Sequence, residues 1–280
     1  MLCQVLLLLN RQIKVKYGMS KVCQLFSGSS GNAIYVQCRN AKFLIDAGVS
    51  AKRLDTALGN IGVNPDELDA IFVTHEHIDH IKGVRVFAAR HKTPVFANKS
   101  VLEKMIANGS INEKVTAEKT SENMLLCSAE IIPFRLSHDS AACYGYRFNL
   151  PDGRSVSICT DTGCITDEAK AVIQGTDLIF LESNHEITML QNGFYPYSLK
   201  QRILSDRGHL SNRDCAQYAK ELVKTGTTRL ILAHLSKENN HPDIARQTTL
   251  CALEQDGLQE NADFRLKVSA PENSERPIIL

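Results

Sequence analysis

Thr74-His75-Glu76-His77-Ile78-Asp79-His80 gathers three histidines and an aspartate within six residues. Imidazole and carboxylate are the usual ligands for zinc and similar divalent ions in hydrolytic sites. The stretch directly follows the apolar run Ala70-Ile71-Phe72-Val73. A buried strand ending in His-x-His-x-Asp-His delivers its ligands from one tight turn. His75 and His77 can serve one ion, while Asp79 and His80 point to a second close by. A histidine-rich surface turn would have the same composition, but strand before and helix after is what a ligand loop needs. The chemistry expected is hydrolysis, because such ions make hydroxide available near neutral pH and stabilise charge on a carbonyl or phosphoryl oxygen. Lactams, thioesters and phosphodiesters all remain open at this point.

The surrounding pattern alternates strands and helices. Val22 to Phe26, Ala33 to Val36 and Lys42 to Asp46 read as strands, and Leu54 to Ile61 as a helix stopped by Gly62. A short helical turn opens at Asn64-Pro65-Asp66-Glu67 before the Ala70 strand. Val84 to His91 reads as helix, Pro94 to Ala97 as strand and Ser100 to Ala107 as helix. Residues 123–160 read mainly as strands, with a hairpin turn at Pro151-Asp152-Gly153. A helix, the strand Leu178 to Leu181, helical segments at 197–205 and 212–224, and the strand Arg229 to Ala233 follow. The tail, 269–280, is polar and is expected to add little. The polar turn from Ser27 to Asn32 has two readings. Its N–H groups and hydroxyls, with Ser29 and Asn32 as candidates, can meet a phosphate, or it is a Gly-rich hairpin turn.

The chain has 280 residues, 43% of them hydrophobic and 22% charged, as expected of a globular protein of one domain or two. Its net charge of +1 excludes a polybasic protein, but a local basic groove would not show in the sum. Nine cysteines lack metal-type Cys-x-x-Cys spacing, which fits a reducing compartment and a cytoplasmic location. Cys159 and Cys164 read as core thiols. Val5 to Leu9 is too short to span a bilayer and lacks the flanks of a signal peptide. Residues 1–18 are therefore expected to be a misassigned start or dispensable extension, with one hydrolase domain over 19–268. Aromatics make up 6% of the chain, without Trp, so base stacking is not advertised, and nucleic-acid binding would rest on salt-sensitive phosphate contacts.

His-x-His-x-Asp-His after a strand resembles the metallo-β-lactamase superfamily of binuclear metal hydrolases. That resemblance implies a four-layer αββα sandwich. It also implies two divalent ions, zinc or manganese, and three further ligands downstream. Matching positions are His138 after the apolar run from Ile131, Asp161 as the bridging carboxylate after Ser155 to Ile158, and His234 after Leu230 to Ala233. Asp79 would both bind an ion and orient or deprotonate the nucleophile.

The lactam-cleaving branch typically has a cysteine where Asp161 stands; an aspartate there resembles the thioesterase and phosphodiesterase branches. Gly208-His209-Leu210-Ser211-Asn212 ahead of Ala233-His234-Leu235-Ser236 is similar to the tRNA 3′-end processing branch. In that branch a histidine works with a carboxylate as proton donor, and Glu182 matches the carboxylate. A Glu182–His209 pair makes physical sense, since the carboxylate favours imidazolium and imidazolium can protonate a departing alkoxide. His209 packing the following helix is the plainer role. Only 72 residues separate Asp161 from His234, too few for the inserted domain of many RNA-processing and repair nucleases. Together with Ser-Gly-Ser-Ser-Gly-Asn, Glu-Ser-Asn-His and His-Leu-Ser-x-Glu-Asn-Asn, the set looks most like the compact bacterial YycJ-like branch. That implies a DNA exonuclease acting from 5′ ends, with a link to DNA repair. An RNA-processing nuclease, a glyoxalase-type thioesterase, a cyclic phosphodiesterase and a non-enzymatic nucleic-acid binder are the alternatives. His185, Lys237, Asn239 and Asn240 are further candidates for substrate contact, with Arg202 and Arg207 as a basic rim. No membrane partner is expected, and homodimerisation is left open.

Overall fold

A computed structural model describes residues 19–280; the expectation for residues 1–18 lies outside them. Two seven-stranded sheets face each other. The first is built from β1 (Lys21–Phe26), β2 (Ala33–Cys38), β3 (Ala41–Ile45), β4 (Ala70–Phe72), β5 (Val95–Ala97), β6 (Ala117–Lys119) and β14 (Ile278–Ile279), in the order β14-β1-β2-β3-β4-β5-β6. The second contains β7 (Met124–Leu126), β8 (Ala129–Leu136), β9 (Cys143–Asn149), β10 (Ser155–Cys159), β11 (Leu178–Glu182), β12 (Arg229–Ala233) and β13 (Arg265–Val268), in the order β13-β12-β11-β10-β9-β8-β7.

Side chains alternate between two faces along a strand, and here both faces are apolar. In β3, Phe43 and Ile45 enter the layer between the sheets, while Leu44 points to the helices outside. In β11, Leu178 and Phe180 do the same, with Ile179 and Leu181 facing outward. Such near-continuous apolar runs are what strands covered on both faces require. Phe43, Phe72, Tyr146 and Phe148 interlock across the inner layer with ring centroids 5.4–5.9 Å apart in the closest pairs. The helices α1 (Ala51–Asn60), α3 (Val84–His91) and α4 (Lys99–Ala107) cover the first sheet. The second is covered by α5 (Asp167–Ile173), α8 (Asn212–Lys224) and α9 (Pro242–Gln255). The result is the expected αββα sandwich. Among the described residues, no helix is long and apolar enough to cross a membrane.

Strand direction decides where the chemistry goes. β3, β4 and β5 run parallel, as do β10, β11 and β12. β8 is antiparallel to β9, and β9 to β10, so β8 points the same way as β10. The carboxyl ends of β3, β4, β8, β10, β11 and β12 lead into Asp46, Thr74-His75, His138, Asp161, Glu182 and His234. Ligands gather outside the carboxyl ends of parallel strands because the connections there are free to vary.

The C-terminal tail corrects its sequence expectation. Rather than adding little, it forms the edge of the first sheet, with Lys21 opposite Ile279 and Val22 opposite Ile278. Leu280 is buried in the inner layer. The polar composition hid a two-residue strand whose only apolar requirement is met at Ile278 and Leu280.

Candidate metal centre

The turn after β4 carries His75 and His77, and the short helix α2 (Ile78–Ile81) begins at once with His77 as its N-cap. His75, His77 and His138 form one group, and Asp79, His80 and His234 a second; within each, the ligand atoms lie within 4.8 Å of one another. Asp161 lies between them. It groups with His75 and His80 and also with His234, and its Oδ2 stands 3.2 Å from His80 Nε2. The structure thus brings all seven expected ligands to one place.

Three atoms argue for a cation there. His75 Nε2, His234 Nε2 and Asp161 Oδ2 are buried without a hydrogen-bond partner. Each such atom costs about 1–3 kcal/mol if nothing meets it, and here they converge. A divalent ion fits this donor set of imidazoles and carboxylates. The electrostatics point the same way. His234 is held up at about 10: burial lowers it, but the carboxylates of Asp161, Asp79 and Glu182 around it prevail. His80 is likewise pushed well above the ordinary range against its burial by Asp161, Asp46 and Asp79. Asp161 is held well below its ordinary range, as His234 and His80 outweigh its burial. The carboxylates demand positive charge at this point, and bound metal would displace the imidazole protons. His75, by contrast, is pushed well below its ordinary range by burial and by the charge of His80, so it presents a neutral ring.

The ligands are held by a surrounding shell. His138 Nδ1 lies 3.0 Å from the Gly208 carbonyl, so the Gly208-His209 motif orients it and leaves Nε2 for the site. Asp46 lies 2.7 Å from His80 Nδ1 and accepts the Thr74 N–H at 2.8 Å. It was not singled out as functional from sequence; its only signal was its position at the end of a strand before Ala47-Gly48. Asp46, Asp161 and His234 all adopt left-handed backbone conformations, with φ of 61°, 64° and 57°. Such residues are uncommon outside glycine and cluster at functional sites.

Glu182 does more than pair with His209. Its Oε1 lies 2.7 Å from His209 Nδ1 and 2.8 Å from His234 Nδ1. Its Oε2 accepts the N–H groups of Thr162 and Leu210. It is fully buried. Burial raises its pKa, but His209 and the hydrogen bonds hold it at about 2. Glu182→Gln places an NH2 where only acceptors fit. It is expected to cost about 2 kcal/mol of stability and to weaken metal binding about 10- to 100-fold, read by thermal melting and metal titration. Unchanged affinity would contradict its hold on His234.

The Ser27 to Asn32 turn holds ligands from both sheets. Ser27 Oγ accepts the His234 N–H at 2.8 Å. Asn32 is buried; its Nδ2 lies 3.0 Å from His80 Nε2 and donates to the Asp79 carbonyl at 3.3 Å. The Asn32 amide, expected to meet substrate, is here engaged within the protein, its Oδ1 accepting the Gly28 N–H at 2.9 Å. Gly48 is packed so closely behind that loop that a Cβ would stand 1.6 Å from the Asp79 carbonyl oxygen. Gly48→Ala is expected to cost about 2 kcal/mol or more and to lower metal content. A wild-type melting temperature and metal load would refute the contact.

The other substrate candidates divide. Ser29 and Lys237 are exposed on a groove lined also by Leu235 and Ser236. His185 is not at the surface: it is 1% exposed, because a backbone bridge to Ser211 draws it inward. Burial lowers its pKa to about 4. Asn240 also turns inward, its amide donating to the Ser183 and Asn184 carbonyls, and Asn239 is buried. Arg202 is paired with Asp139, and Arg207 Nη2 donates to the His138 carbonyl at 3.4 Å. These two arginines brace the His138 loop.

A family model described as the beta-lactamase superfamily domain matches residues 41–235. The chain belongs to the β-lactamase superfamily. Within that superfamily, it is 36% identical over 254 residues to the exodeoxyribonuclease WalJ of Streptococcus pneumoniae serotype 2 strain D39, covering 89% of this chain and 94% of that protein. It is also 36% identical over 250 residues to the exodeoxyribonuclease YycJ of Bacillus anthracis, covering 88% and 94%. The metallo-β-lactamase fold protein YhfI of Bacillus subtilis superimposes with a TM-score of 0.69 at 18% identity, over 91% of this chain and 98% of that one, which shows a shared fold. The superfamily, the fold and the His/Asp cluster establish a metal-binding hydrolase, and the relatives place it in the YycJ-like branch.

Proposed function

We propose that this chain is a binuclear metal-dependent exonuclease that shortens DNA from the 5′ end. The observation that carries the reading is the meeting of two ligand groups at Asp161, with the Glu182–His209 pair beside them. The two relatives named exodeoxyribonucleases, similar over nearly the whole chain, support DNA as substrate. Two ions, zinc or manganese, would be held by His75, His77 and His138 and by Asp79, His80 and His234, with Asp161 shared. When bound, such ions supply Lewis acidity to the phosphoryl oxygens and acidify water.

The chain's own residues do the rest. Asp79, whose side chain is 20% exposed, takes the proton of the attacking water. His209 is held at Nδ1 by Glu182, which leaves Nε2 to pass a proton to the departing oxygen. Its ring stands 5.0 Å from His138 and 5.3 Å from His234, between the two ligand groups. The eight cysteines among the described residues are all free thiols, which supports a reducing, cytoplasmic setting.

End-labelled single- and double-stranded DNA and matched RNA, incubated with zinc- or manganese-loaded protein and an Asp79→Asn control, test this. Progressive 5′ shortening of DNA, absent in the control, is expected. Internal cuts confined to RNA would move the chain to RNA processing.

A further inference from the structure

Three loops meet beside the metal centre. Ser137, next to His138, donates its N–H to Thr162 Oγ1 at 3.2 Å and accepts the Gly163 N–H at 2.9 Å. Those bonds join the His138 loop to the Asp161 loop. Gly163 in turn packs so tightly on a third loop that a Cβ would stand 2.3 Å from the Ser205 carbonyl oxygen. The third loop carries Arg207, whose Nη2 donates to the His138 carbonyl at 3.4 Å. Where they meet lies a cavity of about 530 Å³, lined by His138 together with Arg135, Ser137, Ser140, Glu168 and Arg207. The cavity therefore shares one wall, His138, with the metal centre.

Its walls ask for an anion. Arg135, near the end of β8, is exposed and, among the described residues, has no hydrogen-bond or ion-pair partner. An arginine has five N–H donors, and Arg207 commits one of them to His138. Ser140 Oγ is buried without a hydrogen-bond partner, and a buried hydroxyl needs one. Glu168 is the one carboxylate among the lining residues. Asp139, next to His138 in the chain, is already paired with Arg202. Two guanidinium groups against one carboxylate leave the walls net positive. Guanidinium forks match the oxygens of a phosphate.

Every nucleotide of a DNA strand carries one such anion. A strand whose scissile phosphate lies at the metal centre has its next phosphate one nucleotide away, and the cavity begins at His138. We infer that Arg135, Arg207 and Ser140 hold a non-scissile phosphate of the cleaved strand and so fix the strand's register at the metal centre. That phosphate is either the terminal 5′-phosphate or the phosphodiester beside the cut; the chemistry of recognition is the same. The inference rests on the nuclease reading above.

The test compares metal-loaded wild type with Arg135→Gln on double-stranded DNA in three forms: with a 5′-phosphate, with a 5′-hydroxyl, and with a neutral methylphosphonate beside the cut. Arg135 is exposed, and a melting curve and metal analysis check the fold and the centre. On the phosphorylated duplex the variant is expected to lose about tenfold in affinity, seen in KM rather than kcat. Its dependence on salt should weaken by about one phosphate contact. Wild type should suffer the same loss on the hydroxyl end if the terminal phosphate is held, and on the methylphosphonate if the phosphodiester is. On that same substrate Arg135→Gln should lose nothing further, because both changes remove one contact. A wild type indifferent to both changes, or a variant whose loss is equal on all three forms, refutes the phosphate site and leaves the nuclease reading standing. If wild type cleaves no DNA, both readings fall.

Discussion

His209→Ala is expected to lower kcat on DNA by about 10²- to 10⁴-fold with metal content unchanged. The reason is geometric. His209 stands beside both ligand groups, yet its Nδ1 is committed to Glu182 at 2.7 Å, and the seven proposed ligands gather without it. Removing it takes away a proton donor and leaves the ligands in place. The leaving group gives a sharper reading. An oligonucleotide alkoxide needs a proton as it departs, whereas a nitrophenolate does not. The loss should therefore shrink on a nitrophenyl phosphodiester. Loss of metal together with activity would make His209 a ligand instead, and equal losses on both substrates would remove it from proton transfer.

Asp161→Asn carries the other large effect. Asp161 follows β10 in a left-handed conformation, which asparagine tolerates, so the backbone should hold. The change removes one charge from a fully buried position shared by both ligand groups. His80 and His234 lose the main charge that raises them, and each proposed ion would lose a ligand. The expected result is loss of at least one equivalent of metal and a fall in kcat/KM of about a thousandfold, or about 4 kcal/mol of transition-state stabilisation. Metal analysis and steady-state kinetics read both. Full metal retention with near-normal turnover would show that Asp161 does not join the two groups.

How much of this was legible depended on how local each signal was. The turn from His75 to His80 is legible because its ligands fall in one short stretch behind an apolar strand. His138, Asp161 and His234 each follow a β-rich run, and the resemblance put them in order. Asp46 was not read as functional, since its hold on His80 spans 34 residues and depends on β3 lying beside β4 in parallel. Glu182 was legible as a partner of His209, but its equal hold on His234 arises only where β11 and β12 end side by side. The polar motifs around Asn32, His185 and Asn240 looked like surface for substrate. Hydrogen bonds commit the amides of Asn32 and Asn240, and His185 is buried, which no residue type announces. Composition is blind to placement: most aromatic rings among the described residues are buried, whereas Phe194 and Tyr197 are exposed.

DNA cleavage by this chain is proposed to require two divalent ions held around Asp161. Metal-free protein titrated with zinc or manganese, with bound metal and DNA cleavage followed in the same samples, tests it most directly. Cleavage should be absent without metal, rise as the second equivalent per chain binds, and plateau there. A chain saturated at two equivalents that leaves every DNA substrate intact would contradict it.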